Sequence, residues 1–113
     1  MTLSMNYKIK TIPNFDKELK RLVKKYPSLK NEFTELVSEL KQNPTQGTPL
    51  GNHCFKIRLS ISSKGAGKSG GARVITYLQV SQTSVYLLSI YDKSEEDNIS
   101  DKELAELLKW IPE

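Results

Sequence analysis

Cations and aromatics recur at alternate positions between Cys54 and Lys93, a stretch that reads as three strands, CFKIRLS, ARVITYLQV and VYLLSIYD. The loop ISSKGAGKSGG, basic and rich in glycine, joins the first two. Side chains alternate across a pleated strand, so one parity lines a core and the other faces out. The apolar parity is Phe55, Ile57 and Leu59, then Val74, Thr76, Leu78 and Val80, then Tyr86, Leu88 and Ile90. The other parity carries Lys56 and Arg58, then Arg73, Ile75 and Tyr77, then Ser89, Tyr91 and Lys93. If the strands pair antiparallel in chain order, cations and tyrosines from all three share one face. Such a face suits a phosphate chain.

The loop Ser62 to Gly71 adds Lys64 and Lys68 beside backbone amides that glycine leaves open, an anion contact without a fixed site. Gly67-Lys68-Ser69 does not make a nucleotide phosphate loop: position 62 is serine rather than glycine, and a strand follows where a helix is required. His53 is the single histidine and Cys54 the single cysteine, so no His/Cys cluster with zinc-ligand spacing is expected and no internal disulfide can form. Both are read as structural, Cys54 as a small core residue.

The elements that must position these residues follow from the flanking pattern. With 113 residues the chain makes one domain over 1–113. Tyr7 to Ile12 alternates as a short edge strand and stops at Pro13. Asn14 is the expected N-cap of a helix with Phe15, Leu19, Leu22, Val23 and Tyr26 on its apolar side. Its other side bears Lys17, Lys20, Arg21, Lys24 and Lys25, a stripe able to dock on RNA. Ser28 caps a second helix that ends at Asn43-Pro44, and the pair forms an antiparallel hairpin over the apolar side of the sheet. Thr45 to His53 reads as a loop. Ser100 and Glu103 form a capping box for a last helix, with Leu104, Leu107, Leu108 and Ile111 on one face.

Charge is divided unevenly along the chain. Residues 1–91 hold 14 Lys/Arg against 5 Asp/Glu, net +9, and residues 92–113 hold 3 against 8, net −5. A basic body points to an anionic partner, nucleic acid first. No apolar run is long enough to span a bilayer and no secretory signal is visible, so a soluble cytoplasmic protein with no membrane partner is expected.

Strand, two helices, three strands and a last helix is also the order of the RelE/ParE toxin superfamily. The segments Phe55-Lys56-Ile57-Arg58, Lys64 to Ile75 and Tyr86 to Lys93 resemble the core of its RelE/HigB-type members. The resemblance implies an α+β, RelE-like fold, a small antiparallel sheet packed on an N-terminal helical hairpin with a C-terminal helix (β-α-α-β-β-β-α). It implies a ribosome-dependent endoribonuclease that cuts mRNA, needs neither metal nor cofactor, and is held inactive by a cognate antitoxin of helix-turn-helix type, which would bridge it to operator DNA. It further puts Lys56, Arg58, Arg73 and Lys93 in the active surface, with Arg73 best suited to the phosphate charge, Lys56, Lys93 or Tyr91 to move protons, and Tyr91 or Tyr77 to stack on a base. Lys64, Lys68, Tyr77, Lys20 and Lys24 are then contacts for RNA or the ribosome. No tyrosine stands at Asn98 to Ser100, where some relatives use one. Two other readings stay open: a ParE-like gyrase inhibitor, and a degenerate module that binds only antitoxin and DNA.

Overall fold

The computed structural model describes residues 6–65 and 67–112, with only the backbone of Lys68 and Ser69. The elements run β1 (Lys8–Thr11), α1 (Pro13–Lys25), α2 (Leu29–Gln42), β2 (Thr48–Gly51), β3 (Cys54–Leu59), the single turn α3 (Gly67–Gly70), β4 (Ala72–Gln79), β5 (Ser84–Asp92) and α4 (Asp101–Leu108). One five-stranded sheet has the order β1-β5-β4-β3-β2. Strands β2 to β5 are antiparallel neighbours, and β1 joins the edge parallel to β5.

Strand β2 lies in the stretch expected to be a loop. Its Pro49 and Gly51 weaken any strand signal, and its pairing comes from β3 through a two-residue turn at Asn52-His53. Proline is tolerated there because β2 is an edge. After β3 the described residues form a 3-10 turn at Ser62–Lys64 and then the single turn α3, neither of which the sequence reading anticipates.

The helical hairpin covers one face of the sheet as expected. Phe15 and Leu22 of α1 and Leu29, Leu36 and Leu40 of α2 are buried with Ile57, Val74, Leu87 and Ile90. The opposite face is not open. The capping box at Ser100 and Glu103 forms, and α4 lies across that face with Leu104 buried and Leu107, Leu108 and Ile111 packed on the core. Arg73, Ile75, Ser89 and Tyr91, read as outward-facing, are therefore buried.

Strand β5 does not keep one parity. Ile75 pairs with Ser89 but Thr76 pairs with Leu87, so Leu88 is an extra residue, a bulge. N-terminal to it the alternation inverts: Tyr86 pairs with Tyr77 on the α4 side, with Lys10 Nζ 5.7 Å from its ring centroid. Val80 is not in the core either; it is 59% exposed in the β4–β5 turn.

The bulge also explains why Asn14 is not the N-cap of α1. Ile12 holds that position and Pro13 opens the helix, where its missing N–H costs nothing. The side chain of Asn14 instead donates to Leu88 O (3.0 Å) and to Glu18 Oε1 (2.9 Å). Glu18 Oε1 in turn accepts from Ile90 N (3.2 Å) and Ser89 Oγ (2.8 Å). Strand β1 stops pairing at Leu87, and these two helix residues satisfy the β5 edge beyond it. Burial, only partly offset by these hydrogen bonds, raises the pKa of Glu18. Ser28 does hold the N-cap of α2, but its hydroxyl bonds Glu32 and Ser63 rather than the helix backbone.

Gly71 fixes how closely β3 and β4 meet. A Cβ there would sit 2.1 Å from Leu59 O, while Gly71 O accepts from Lys93 N at 3.0 Å. Gly71→Ala is expected to cost about 1–3 kcal/mol, as overpacking does. Calorimetry should then show melting lower by about 4–12 °C; an unchanged melting temperature would mean that the strand ends separate freely.

Candidate functional site

Register brings the main candidates into one row. Arg58 pairs with Arg73 and Arg73 with Tyr91, so the three cross β3, β4 and β5 side by side. The next row is Lys56, Ile75 and Ser89. Like charges directly opposite are unusual in a sheet, and this register sets two arginines opposite each other on β3 and β4. Arg58 is exposed, whereas Arg73 is only 5% exposed and donates from Nη1 to Ala72 O at 3.1 Å.

Residues after β5 fold back over the flank of this row. Lys56 Nζ donates to Asn98 Oδ1 at 3.2 Å, and Lys93 Nζ to Asp97 Oδ1 at 2.6 Å. The hydrogen bond and charge of Lys93 lower the pKa of Asp97. Asp97 is almost fully exposed, so water screens the pair and a phosphate can replace the carboxylate at little cost.

Tyr91 is 3% exposed, and its hydroxyl has no hydrogen-bond partner among the described residues. Burial raises its pKa first, the charge of Glu96 adds to this, and Arg73 opposes it. Glu96 is itself raised, by burial and then by Glu103 and Glu18. The phenol therefore stays protonated as a donor, held beside an arginine and under an acidic rim.

The other candidates are dispersed. Tyr77 is half-buried on the same face, two rows from the arginines, paired with Cys54 and Tyr86. Lys20 and Lys24 are exposed on α1 and share no strand row with the others. The side chain of Lys68 lies outside the described residues. Lys64 is taken up elsewhere: its ammonium forms an ion pair with Asp92, whose side chain is fully buried. Burial acts to raise the pKa of Asp92, but hydrogen bonds from Lys64, then Tyr26 and Ser94, outweigh it and hold the carboxyl far below the usual range. Burial pushes the Cys54 thiol up to about 11, which suits an inert core residue.

Sequence reasoning missed Asp97 and Asn98 as the groups that hold Lys93 and Lys56. The four-residue spacing of Lys93 and Asp97 was the one available signal.

The family described as the RelE toxin of the RelE/RelB toxin–antitoxin system matches residues 14–111. Among solved structures, the fold is similar to a free E. coli RelE toxin carrying two arginine-to-alanine changes, with TM-score 0.64 and 17% identity over 96% of this chain and 100% of that one. It is similar to the Mycobacterium tuberculosis RelBE2 toxin–antitoxin complex, with TM-score 0.57 and 18% identity over 81% of this chain and 97% of that one. The same E. coli variant bound to a peptide of the antitoxin RelB matches at TM-score 0.51 and 18% identity, over 96% and 100% of the two chains. No helix among the described residues is long and apolar enough to cross a membrane. With the family matched over nearly the whole chain and the fold shared with these toxins, the chain belongs to the RelE family of toxins of toxin–antitoxin systems.

Proposed function

We propose that this chain is the toxin of a type II pair and cuts mRNA on the ribosome, stopping translation in the cytoplasm. The observation that carries this reading is the cross-strand row Arg58, Arg73 and Tyr91, flanked by Lys56 and Lys93. RNA can be cut by its own 2′-hydroxyl attacking the next phosphate. The protein must align the two, move protons and stabilise the added negative charge.

Arg58, rather than the buried Arg73 that the sequence singles out, is the group best suited to meet that charge first, because its exposed guanidinium forks two hydrogen bonds to phosphate and stays protonated. Lys56 and Lys93 add charge once Asn98 and Asp97 give way. Arg73, buried between Arg58 and Tyr91 in the same row, supports it from the middle. The Tyr91 hydroxyl, unpartnered among the described residues, is buried here, so it would donate to a phosphate oxygen or to the leaving oxygen only once the residues covering it move aside. This division of labour calls on no metal.

The M. tuberculosis and E. coli relatives are known in complex with antitoxins, which supports a cognate antitoxin here. Such a partner would bind acidic side chains or its carboxylates to the same basic row, and would carry the toxin to operator DNA. An in vitro translation reaction with purified protein and mapped mRNA ends, run beside naked mRNA, tests the reading. Cuts confined to translating ribosomes are expected. Intact mRNA in both lanes would remove the nuclease, and loss of supercoiling by gyrase in the same preparation would put gyrase inhibition in its place.

A further inference from the structure

We infer that a cavity at the far end of the same sheet face is a subsite for one unpaired RNA base, an assignment that rests on the RNA-cleaving reading above. The cavity holds about 430 Å³ between the β2–β3 turn, β4 and the end of α4, with Asn52, His53, Tyr77, Gln79 and Ile111 in its wall. Small-ligand sites span about 300–1,000 Å³, so the space is adequate. Its wall has the two things a base needs, aromatic surface for stacking and amides for the hydrogen-bonding edge. Gln79 is held in place by donating to Pro112 O at 3.0 Å.

Two independent observations single this cavity out. The first is backbone conformation: Asn52 and His53 form the two-residue turn at φ 53° and 62°. Such turns favour Asn-Gly, and a histidine in the left-handed region costs about 1 kcal/mol that glycine would not. His53 is nevertheless exposed, so burial does not repay the strain. The second is surface: Trp110 is 62% and Val80 59% exposed, the large exposed hydrophobics among the described residues. Neither lines the cavity, but each adjoins a wall residue in the chain, Ile111 and Gln79, so two exposed apolar side chains lie near it.

The cavity also lies in line with the basic row. Tyr77 pairs with Cys54, four residues along β3 from Arg58, which is about 14 Å at strand spacing, and Lys56 stands between. One strand of RNA running along β3, beside α4, keeps its phosphates on Lys56 and Arg58 and places a base in the cavity. A protein-docking patch would offer a broader apolar surface than this mixed wall does.

Trp110, the single tryptophan, is next in the chain to the wall residue Ile111 and serves as a nearby probe. Titrating the full chain with a short unstructured RNA is expected to change its emission. The RNA should bind about tenfold tighter than the abasic sugar–phosphate of the same length at the same salt. His53→Gly should remove most of that difference while melting at the same temperature or higher, a combination that a purely structural histidine would not give. Equal binding of the two oligomers with Trp110 emission unchanged overturns the subsite, and cuts on translating ribosomes by the same protein would leave the nuclease standing. Base-dependent binding by a chain that leaves ribosomal mRNA intact would keep the subsite and remove the nuclease. Emission that responds to the antitoxin but not to RNA overturns the subsite in favour of a protein contact.

Discussion

Arg58→Ala is expected to lower ribosome-dependent cleavage by about 10²–10³-fold, the loss usual when one donor to a developing negative charge is removed. Because Arg58 is exposed and carries no ion pair among the described residues, its melting temperature should stay within about 2 °C of the parent. Arg73→Ala should behave differently. Its side chain is buried in the middle of the row, so the variant is expected to lose cleavage and also about 1–3 kcal/mol of stability. Mapped mRNA ends from a translation reaction measure the first effect and thermal unfolding the second. The contrast separates chemistry from support, since a group that only holds the sheet together cannot lower turnover at constant stability. Full cleavage by Arg58→Ala would take the phosphate off this row altogether.

The parts of this site that could be read in advance are those written within a few residues of each other. Alternation in Cys54–Leu59 and Ala72–Gln79 gave the faces of β3 and β4 correctly, so Lys56, Arg58 and Arg73 fall together. In β5 the run Val85-Tyr86-Leu87-Leu88 is apolar throughout, and a period of two cannot reveal which residue is the extra one at the bulge. Ser100 and Glu103 were legible as a capping box because both partners lie in one helical turn. Asn14 has the right type and place for a cap, yet its partner is Leu88, 74 residues away, where the end of β1 leaves an edge carbonyl free. The apolar face of α4 was equally plain. Which side of the sheet it covers depends on packing that no local pattern records, so the burial of Arg73 and Tyr91 could not be foreseen. Strand β2 was hidden for a related reason, since β3 supplies the pairing that its own Pro49 and Gly51 argue against.

The largest effect on stability is expected at Asp92. Its buried carboxylate accepts from Tyr26 Oη at 2.6 Å, from Ser94 N and Oγ at 2.9 and 2.7 Å, and from Lys64. These bonds tie the end of α1, the loop after β3 and the end of β5 to one atom group. Asp92→Asn keeps the shape but strands the Lys64 ammonium, only 16% exposed, without a counter-charge. Breaking a buried pair from one side costs about 3–5 kcal/mol. For a chain of this size that is a fall of about 12–20 °C in melting temperature. Lys64→Met should be similar, and the double variant should recover part of the loss because the two changes share one interaction. The pH dependence has a definite sign. The folded pKa of Asp92 is depressed below an unfolded value of about 3.9, so its contribution is full above that pH and is lost as pH falls further toward the folded value. Glu18, raised by burial, works the other way: its contribution is present at low pH and fades as pH rises through its folded pKa. Denaturant unfolding at pH 7 and pH 3 should therefore show the start of an acid loss from Asp92 in the parent, about 1 kcal/mol, that Asp92→Asn removes while Glu18 is unchanged. A variant that melts within about 2 °C of the parent at pH 7 would sink the idea that Lys64 serves as an anchor, and would return that lysine to the list of cations available to RNA.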